Sequence, residues 1–200
     1  MESEPLKKKK DKKENKKKAT NSLNSSKSAQ MIFKTALRNH IDLTSIADNK
    51  ANIMLSINAL IITISMPLLA ARISDSPQLL IPSAILLLSC MVSIIYATLA
   101  TRPIATNGIT TEKQIEEGKT NLFFFGNFHA MNYDNYKQGV KQVIVDDDKL
   151  DDSITRDLFF LGKALGEKFR LLRVCYTVFM IGIVLSVISF SVVVLIFGGF

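Results

Sequence analysis

The sequence predicts an all-α membrane protein: three transmembrane helices, with a small cytoplasmic helical bundle formed by helices continuous with the spans. Two observations predict it. First, the apolar residues of the 200-residue chain are gathered into blocks of membrane length rather than spread at amphipathic spacing. Ile53 to Ala71, Leu79 to Ala100 and Val174 to Phe197 each lack Asp, Glu, Lys and Arg, and each is about the ~20 residues that a bilayer-spanning helix needs. Second, helical patterns run directly into the first and third blocks. A soluble fold that buried the first two blocks as a hairpin would have too little remaining chain to cover them.

Residues 1–30 are Lys-rich, then Ser- and Asn-rich, with almost nothing apolar to bury. Such a composition predicts a disordered tail. No short apolar core with a small-residue cleavage site follows the lysines, so a signal peptide is not expected. A basic tail of this kind meets anionic membrane lipid, each Lys near the surface contributing about 1 kcal/mol. It has no aromatic residue to stack on bases, so nucleic acid is not an expected partner.

Residues 31–200 read as one membrane domain. Positive charge flanks the first span through the tail and the third through Lys163, Lys168, Arg170 and Arg173. The positive-inside rule then predicts a multi-pass membrane protein with a cytoplasmic N-terminus, a short outer loop at Arg72 to Gln78, and a cytoplasmic segment over 101–173. Pro67 and Pro82 lie inside apolar blocks, where they bend a membrane helix without forbidding it. Before the first span, Phe33, Leu37, His40, Leu43 and Ala47 recur at helical steps. In the cytoplasmic segment Tyr133, Tyr136, Val140, Val143 and Ile144 form one stripe, and Leu150, Ile154, Leu158, Leu161, Leu165 and Leu172 form another that Gly162 and Gly166 weaken. Between them, "NLFFFGNFHAM" has no helical period, and Gly126 marks a turn. "DDDKLDD", Asp146 to Asp152, lacks the alternating ligands, Gly and final Glu of a calcium loop, and suits a helix start.

Asp48, Asn49 and Lys50 fall at the cytoplasmic mouth of the first span, with Asn52 just inside, where charged groups still reach water. Asn52, Ser56, Ala59 and Thr63 share one helical face. Asn58 lies off that face and needs a partner of its own. Ser89, Ser93, Ala97 and Ala100 repeat the spacing in the second span, as do Gly182, Ser186 and Ser189 in the third. Small residues let membrane helices approach and hydrogen-bond, so the plain expectation is helix packing; the sharper one is that some of these stripes line a path in a homo-oligomer. Cys90 and Cys175 are packing residues at no metal or redox spacing. There is no phosphate-cradling loop, nucleophile elbow or metal-ligand pair, so neither catalysis nor a metal or cofactor is expected.

Three phrases, "IADNKANIMLSINALI", "NLFFFGNFHAMNYDNY" and "DLFFLGKALGEKFRLLRVCYTVFMIG", together resemble the Pycsar effector transmembrane family, in order and over nearly all of Met31 to Phe200. The resemblance implies an antiphage effector that impairs the inner membrane when a partner pyrimidine nucleotide cyclase makes cyclic CMP or cyclic UMP on infection, stopping growth before phage release. Some members of the family carry a separate nucleotide-binding or phosphohydrolase module, which this sequence does not show. Sensing would then fall to the cytoplasmic segment: Asn121 and Asn127 for a base edge, Phe125 and Tyr133 for its face, Lys168 and Arg170 for the phosphate. The plain alternative for those residues is aromatic packing and inside-positive flanks. The alternative for the whole chain is a non-conducting membrane-anchored module that holds a separate sensor or enzyme at the bilayer.

Overall fold

Three helices long and apolar enough to cross a membrane dominate the fold, and the chain is a multi-pass membrane protein. A computed structural model describes residues 27–72, 74–103, 108–116 and 120–197. In chain order the α-helices are α1 (Lys27–Arg72), α2 (Leu80–Thr101), α3 (Glu112–Glu116), α4 (Phe125–Phe128), α5 (Tyr133–Val145) and α6 (Asp147–Phe197). A single 3-10 turn, Pro77–Leu79, precedes α2, and the described residues contain no strand.

Local chemistry sets the ends. Arg102, forced out of helical geometry by Pro103 behind it, is extended at φ −57°, ψ 133°, and α2 stops at Thr101. The Asn132 side chain accepts from the Asp134 amide at 3.0 Å and caps α5. Asp146 does the same for α6, its Oδ1 accepting from the Asp148 and Lys149 amides at 3.2 and 3.3 Å, with Asp147 and Asp148 in the positively polarised first turn. The acidic run is the helix start its composition predicts. The first helix begins at Lys27, so Lys27–Gln30 belong to it rather than to the tail; the rest of that segment, residues 1–26, lies outside the described residues. α6 runs unbroken through Gly162 and Gly166. Gly126, expected at a turn, sits buried within the one-turn helix α4.

The chain divides into two compact units. One comprises Met1–Ile41 and Ile104–Lys163, the other Asp42–Pro103 and Ala164–Phe200. In the first, the extramembrane unit, α3 and α5 pack around Ile115, Leu122 and Val143, with Met131, Tyr136, Val140 and Leu150 against them. Tyr133 and Ile144 of the predicted α5 stripe are exposed. Gly108 adopts φ +69° and approaches the His129 ring so closely that a Cβ would lie 2.1 Å from it. Only glycine suits both demands.

The second, the membrane unit, packs α1, α2 and α6 through small side chains. Ala47, Ala51, Ala100 and Leu172 form one buried cluster, and Met54, Ala97 and Cys175 the next. Of the predicted α1 face, Ala47 is buried while Leu37 and Leu43 are each 40% exposed; the smaller Ala36 and Thr44 lie nearer the inside. Gly182 of α6 meets Ser89 of α2 with no room for a side chain, since a Cβ there would fall 2.1 Å from the Ser89 Cβ and Oγ.

Gly182→Ala should therefore force the two helices apart and lower unfolding stability by about 1–3 kcal/mol, measured by thermal unfolding in detergent. Adding Ser89→Gly should recover most of the loss. Equal stability of Gly182→Ala and wild type would sink this account of the α2–α6 contact.

Candidate functional site

Of the polar residues on α1, Asn58 is the one the membrane unit buries completely. Ala47, Ala51, Met54 and Asn58 recur at helical steps and are the buried residues of α1. The Asn58 Nδ2 donates to the Met54 carbonyl at 2.7 Å and to the Ser93 Oγ of α2 at 3.0 Å. Ser93 in turn lies 3.2 Å from the Cys175 Sγ of α6, whose thiol donates back to the Ser93 carbonyl at 3.3 Å. One amide thus ties three helices together. Its Oδ1 has no partner among the described residues, which is costly where no water is near.

The predicted stripe of Asn52, Ser56, Ala59 and Thr63 faces outward, and all four are exposed. Ser56 and Thr63 satisfy their hydroxyls on their own helix, donating to the Asn52 and Ala59 carbonyls at 3.0 and 2.8 Å. The matching stripes on the other spans face inward: Ser89, Ser93, Ala97 and Ala100 are buried, as are Gly182 and Ser186, and the Ser186 Oγ donates to the Pro82 carbonyl at 2.9 Å. Helix packing explains the α2 and α6 stripes. It does not explain the one on α1, because Asn58 lies about 120° around the helix from it at ~3.6 residues per turn. Turning one face in turns the other out.

At one end of this bundle Asp48 accepts from the Lys168 ammonium at 2.5 Å, joining α1 to α6 across 120 residues of sequence, with the Lys168 side chain only 16% exposed. Asn49 and Lys50 are exposed beside it. Arg170 pairs with Glu167 on the outer surface of α6. Their mutual hydrogen bond holds the Glu167 carboxyl below its ordinary range and the Arg170 guanidinium above its own. Both expected phosphate partners, Lys168 and Arg170, are thus engaged by carboxylates of the membrane unit.

In the extramembrane unit Asn121 is a buried hub. Its Oδ1 accepts from the Phe123 amide at 2.8 Å and the Ser153 hydroxyl at 3.2 Å, and its carbonyl accepts from the Asn127 Nδ2 at 2.8 Å. Asn121 and Asn127 are brought together: the Asn127 amide is used on the Asn121 backbone, and the Asn121 amide on Phe123 and on Ser153 of α6. Thr110 extends the network, donating to the Asn127 carbonyl at 2.9 Å. Phe125 lies in α4, with its side chain outside the described residues. Tyr133 is exposed, with the Lys137 ammonium 5.8 Å from its ring centre. Beside the hub, burial pushes the Asp157 carboxyl above its ordinary value, and a hydrogen bond with the Asn121 side chain opposes that rise.

A family model, the Pycsar effector protein domain, matches residues 32–197. The chain belongs to the Pycsar effector domain family. Membership gives it an effector role in a Pycsar antiphage system, one linked to a nucleotide cyclase. No curated protein and no solved structure matches it. In this Pycsar effector domain, sequence reasoning marked Asn58, Asp48 and Lys168 but missed that Ser93 with Cys175 completes the first contact and that the other two pair. It also missed Ser153 and Asp157 beside Asn121. The signal for these last two was their place one turn apart, each just before a residue of the predicted stripe, Ile154 and Leu158.

Two stability effects follow. Ser93→Ala should cost roughly 0.6–1.7 kcal/mol, the range for hydrogen bonds between membrane helices, whereas Asn58→Leu with Ser93→Ala should be near neutral because no polar group is then stranded. Thermal unfolding in detergent tests both, and a double variant weaker than Ser93→Ala would count against the scheme. For Asp157, the folded-state pKa lies above the ordinary 3.8, so the folded chain holds the proton more tightly. Its ionisation penalty is absent below that value and grows as pH rises through the folded pKa. Asp157→Asn should therefore be more stable than wild type at pH 7, with the gap closing toward pH 4; a gap independent of pH would contradict this.

Proposed function

We propose that the chain is a non-enzymatic, cofactor-free effector that assembles as a homo-oligomer in the bacterial inner membrane and impairs its integrity during abortive infection. A cyclic pyrimidine nucleotide, cyclic CMP or cyclic UMP, made by the partner cyclase, switches it on. The N-terminus and the extramembrane unit lie on the cytoplasmic side, where that nucleotide is made.

The observation that carries this reading is the outward polar face of α1. Asn52, Ser56 and Thr63 lie on a membrane-crossing helix and are turned away from the helices of their own chain. Ser56 and Thr63 are satisfied on their own helix, whereas lipid gives the Asn52 amide nothing to bond. Further copies of the chain would pack against this face of small polar residues, or would enclose it around water. Three helices from one chain cannot enclose a wide path, so conduction requires several protomers.

The hydrogen bonds already made by the Asn121 and Asn127 side chains and the engaged Lys168 favour a second reading, in which a separate protein senses the nucleotide and this chain anchors it at the bilayer. The discriminating experiment is efflux of dye and ions from liposomes containing the full chain, with cyclic CMP, cyclic UMP and a purine cyclic nucleotide added in turn. The proposal expects leakage with a pyrimidine nucleotide alone. Silence with all three, from inserted and oligomeric protein, would favour the anchor. Asn52→Leu or Ser56→Leu should abolish growth arrest in cells while leaving insertion and expression unchanged, and unaltered toxicity would remove the α1 face from the mechanism.

A further inference from the structure

The ion pair between Asp48 and Lys168 differs in kind from those at Lys149, Arg156 and Arg170. The pairs at Lys149, Arg156 and Arg170 are local, between residues three or four apart on one helix, and such surface pairs contribute little. Asp48 and Lys168 sit on different helices, the first and last of the membrane unit, and Lys168 is largely withdrawn from solvent. They flank the cluster of Ala47, Ala51, Ala100 and Leu172. Alanines supply three of those four side chains, and Phe169, Leu171 and Tyr176 of α6 pack against the cluster. The ion pair is the charged contact that joins the two helices at this level.

Such a contact is poised to open. Removing one partner of a withdrawn pair strands the other charge at large cost, while exchanging the partner for another anion does not. The surroundings favour anions: between residues 42 and 52, 100 and 103, and 164 and 173, Lys50, Arg102, Lys168, Arg170 and Arg173 face only Asp42, Asp48 and Glu167. Lys50, Arg102 and Arg173 are exposed, and attract negative charge to this end of the bundle.

We propose that Asp48–Lys168 is a latch that keeps α1 against α6 in the silent state, opened by a phosphate-bearing anion that displaces the Asp48 carboxylate from the Lys168 ammonium. This rests on the effector reading and adds its regulation. The anion is either the phosphate of a cyclic nucleotide or the headgroup of an anionic lipid. A ligand that binds Lys168 only when Asp48 has left shifts the two states by its differential affinity for them.

The test uses the full chain reconstituted in dye-loaded vesicles, as wild type, Asp48→Asn, Lys168→Gln and the exchange variant Asp48→Lys with Lys168→Asp. The latch predicts that Asp48→Asn raises leakage without any anion by about tenfold, within the usual range of coupling between sites. Lys168→Gln should leak likewise and ignore added anions, and the exchange variant should return to silence. Vesicles of phosphatidylcholine alone, with and without cyclic CMP or cyclic UMP, separate the nucleotide from the headgroup, which is supplied by phosphatidylglycerol. Where wild type leaks on adding either anion, Asp48→Asn as silent as unstimulated wild type overturns the proposal.

A second readout does not depend on leakage. Thermal unfolding of wild type, Asp48→Asn, Lys168→Gln and the double variant forms a cycle whose shifts should be strongly non-additive, with added anion reducing the coupling. Additive shifts overturn the latch even if nucleotide-triggered leakage is observed, in which case the effector reading stands without it. Strong, anion-sensitive coupling in protein that never leaks upholds the latch and overturns the leakage reading instead.

Discussion

A bilayer offers a polar side chain no water, so the arrangement of the membrane unit is governed by where α1 can place its polar groups. That helix carries two polar faces and can turn only one toward α2 and α6. A serine or threonine can satisfy its hydroxyl against the carbonyl one turn back, as Ser56 and Thr63 do. Asn58 has two donors and an acceptor, more than its own backbone can serve. Burying Asn58 against Ser93 and leaving the hydroxyls outside is therefore the cheaper orientation, and Asn52, closer to the helix mouth, is nearer water. The small residues follow from the same constraint. Ala51, Ala97 and Gly182 let the three backbones come close enough for one amide and one thiol to reach across them.

The spans were legible because uninterrupted apolar length is a strong signal, and the α2 and α6 packing faces because each helix has a single small-residue stripe. On α1 the sequence pattern is ambiguous. Ala47, Ala51, Met54 and Asn58 follow the same helical steps as Asn52, Ser56, Ala59 and Thr63, and periodicity cannot say which face turns inward. The answer depends on Ser93, 35 residues away in the chain. Asp48 and Lys168 were each visible as charges near a span, yet their pairing comes from helix positions that local pattern does not encode. Asn121 shows a related limit. Its place in an aperiodic aromatic loop suggested a group available to a ligand, but the loop uses that amide to fix its own shape. Gly126 was misread because a glycine in such a loop usually breaks a helix, whereas here it lies inside one short turn of α4.

The extramembrane unit is held by a mixture of apolar packing and buried hydrogen bonds that meet at Asn121. Ile115, Leu122 and Val143 provide the core, but Leu122 itself lies in a stretch, residues 120–124, with no regular secondary structure. Its path depends on the bonds from Phe123, Asn127 and Ser153 to Asn121. Ser153 and Asp157 belong to α6, which is the helix that continues into the third span. The loop is thus fastened to that helix through polar contacts, one of which includes a carboxyl whose charge is disfavoured by burial. Polar contacts of this kind define geometry more than they add stability, because each is exchanged against hydrogen bonds to water in the unfolded chain.

The same balance bears on how an effector can be silent and yet ready. A bundle held by large interdigitated side chains would cost many kcal/mol to rearrange, since each buried leucine-sized group contributes about 1.5–3 kcal/mol. On α1 the buried side chains are instead two alanines, one methionine and Asn58, whose amide has an unused acceptor, with one ion pair beside them. Alanines lose little when they separate, an ion pair can exchange partners, and an unsatisfied carbonyl gains wherever a donor is found. Shifting a two-state equilibrium from one part in a hundred to nearly full occupancy takes about 5.5 kcal/mol of differential binding. One ligand that engages a cation better than a carboxylate does, together with new partners for the outer face of α1 in an oligomer, can supply that. An ion pair that can exchange its carboxylate is what would bring the switch within reach of a small anion.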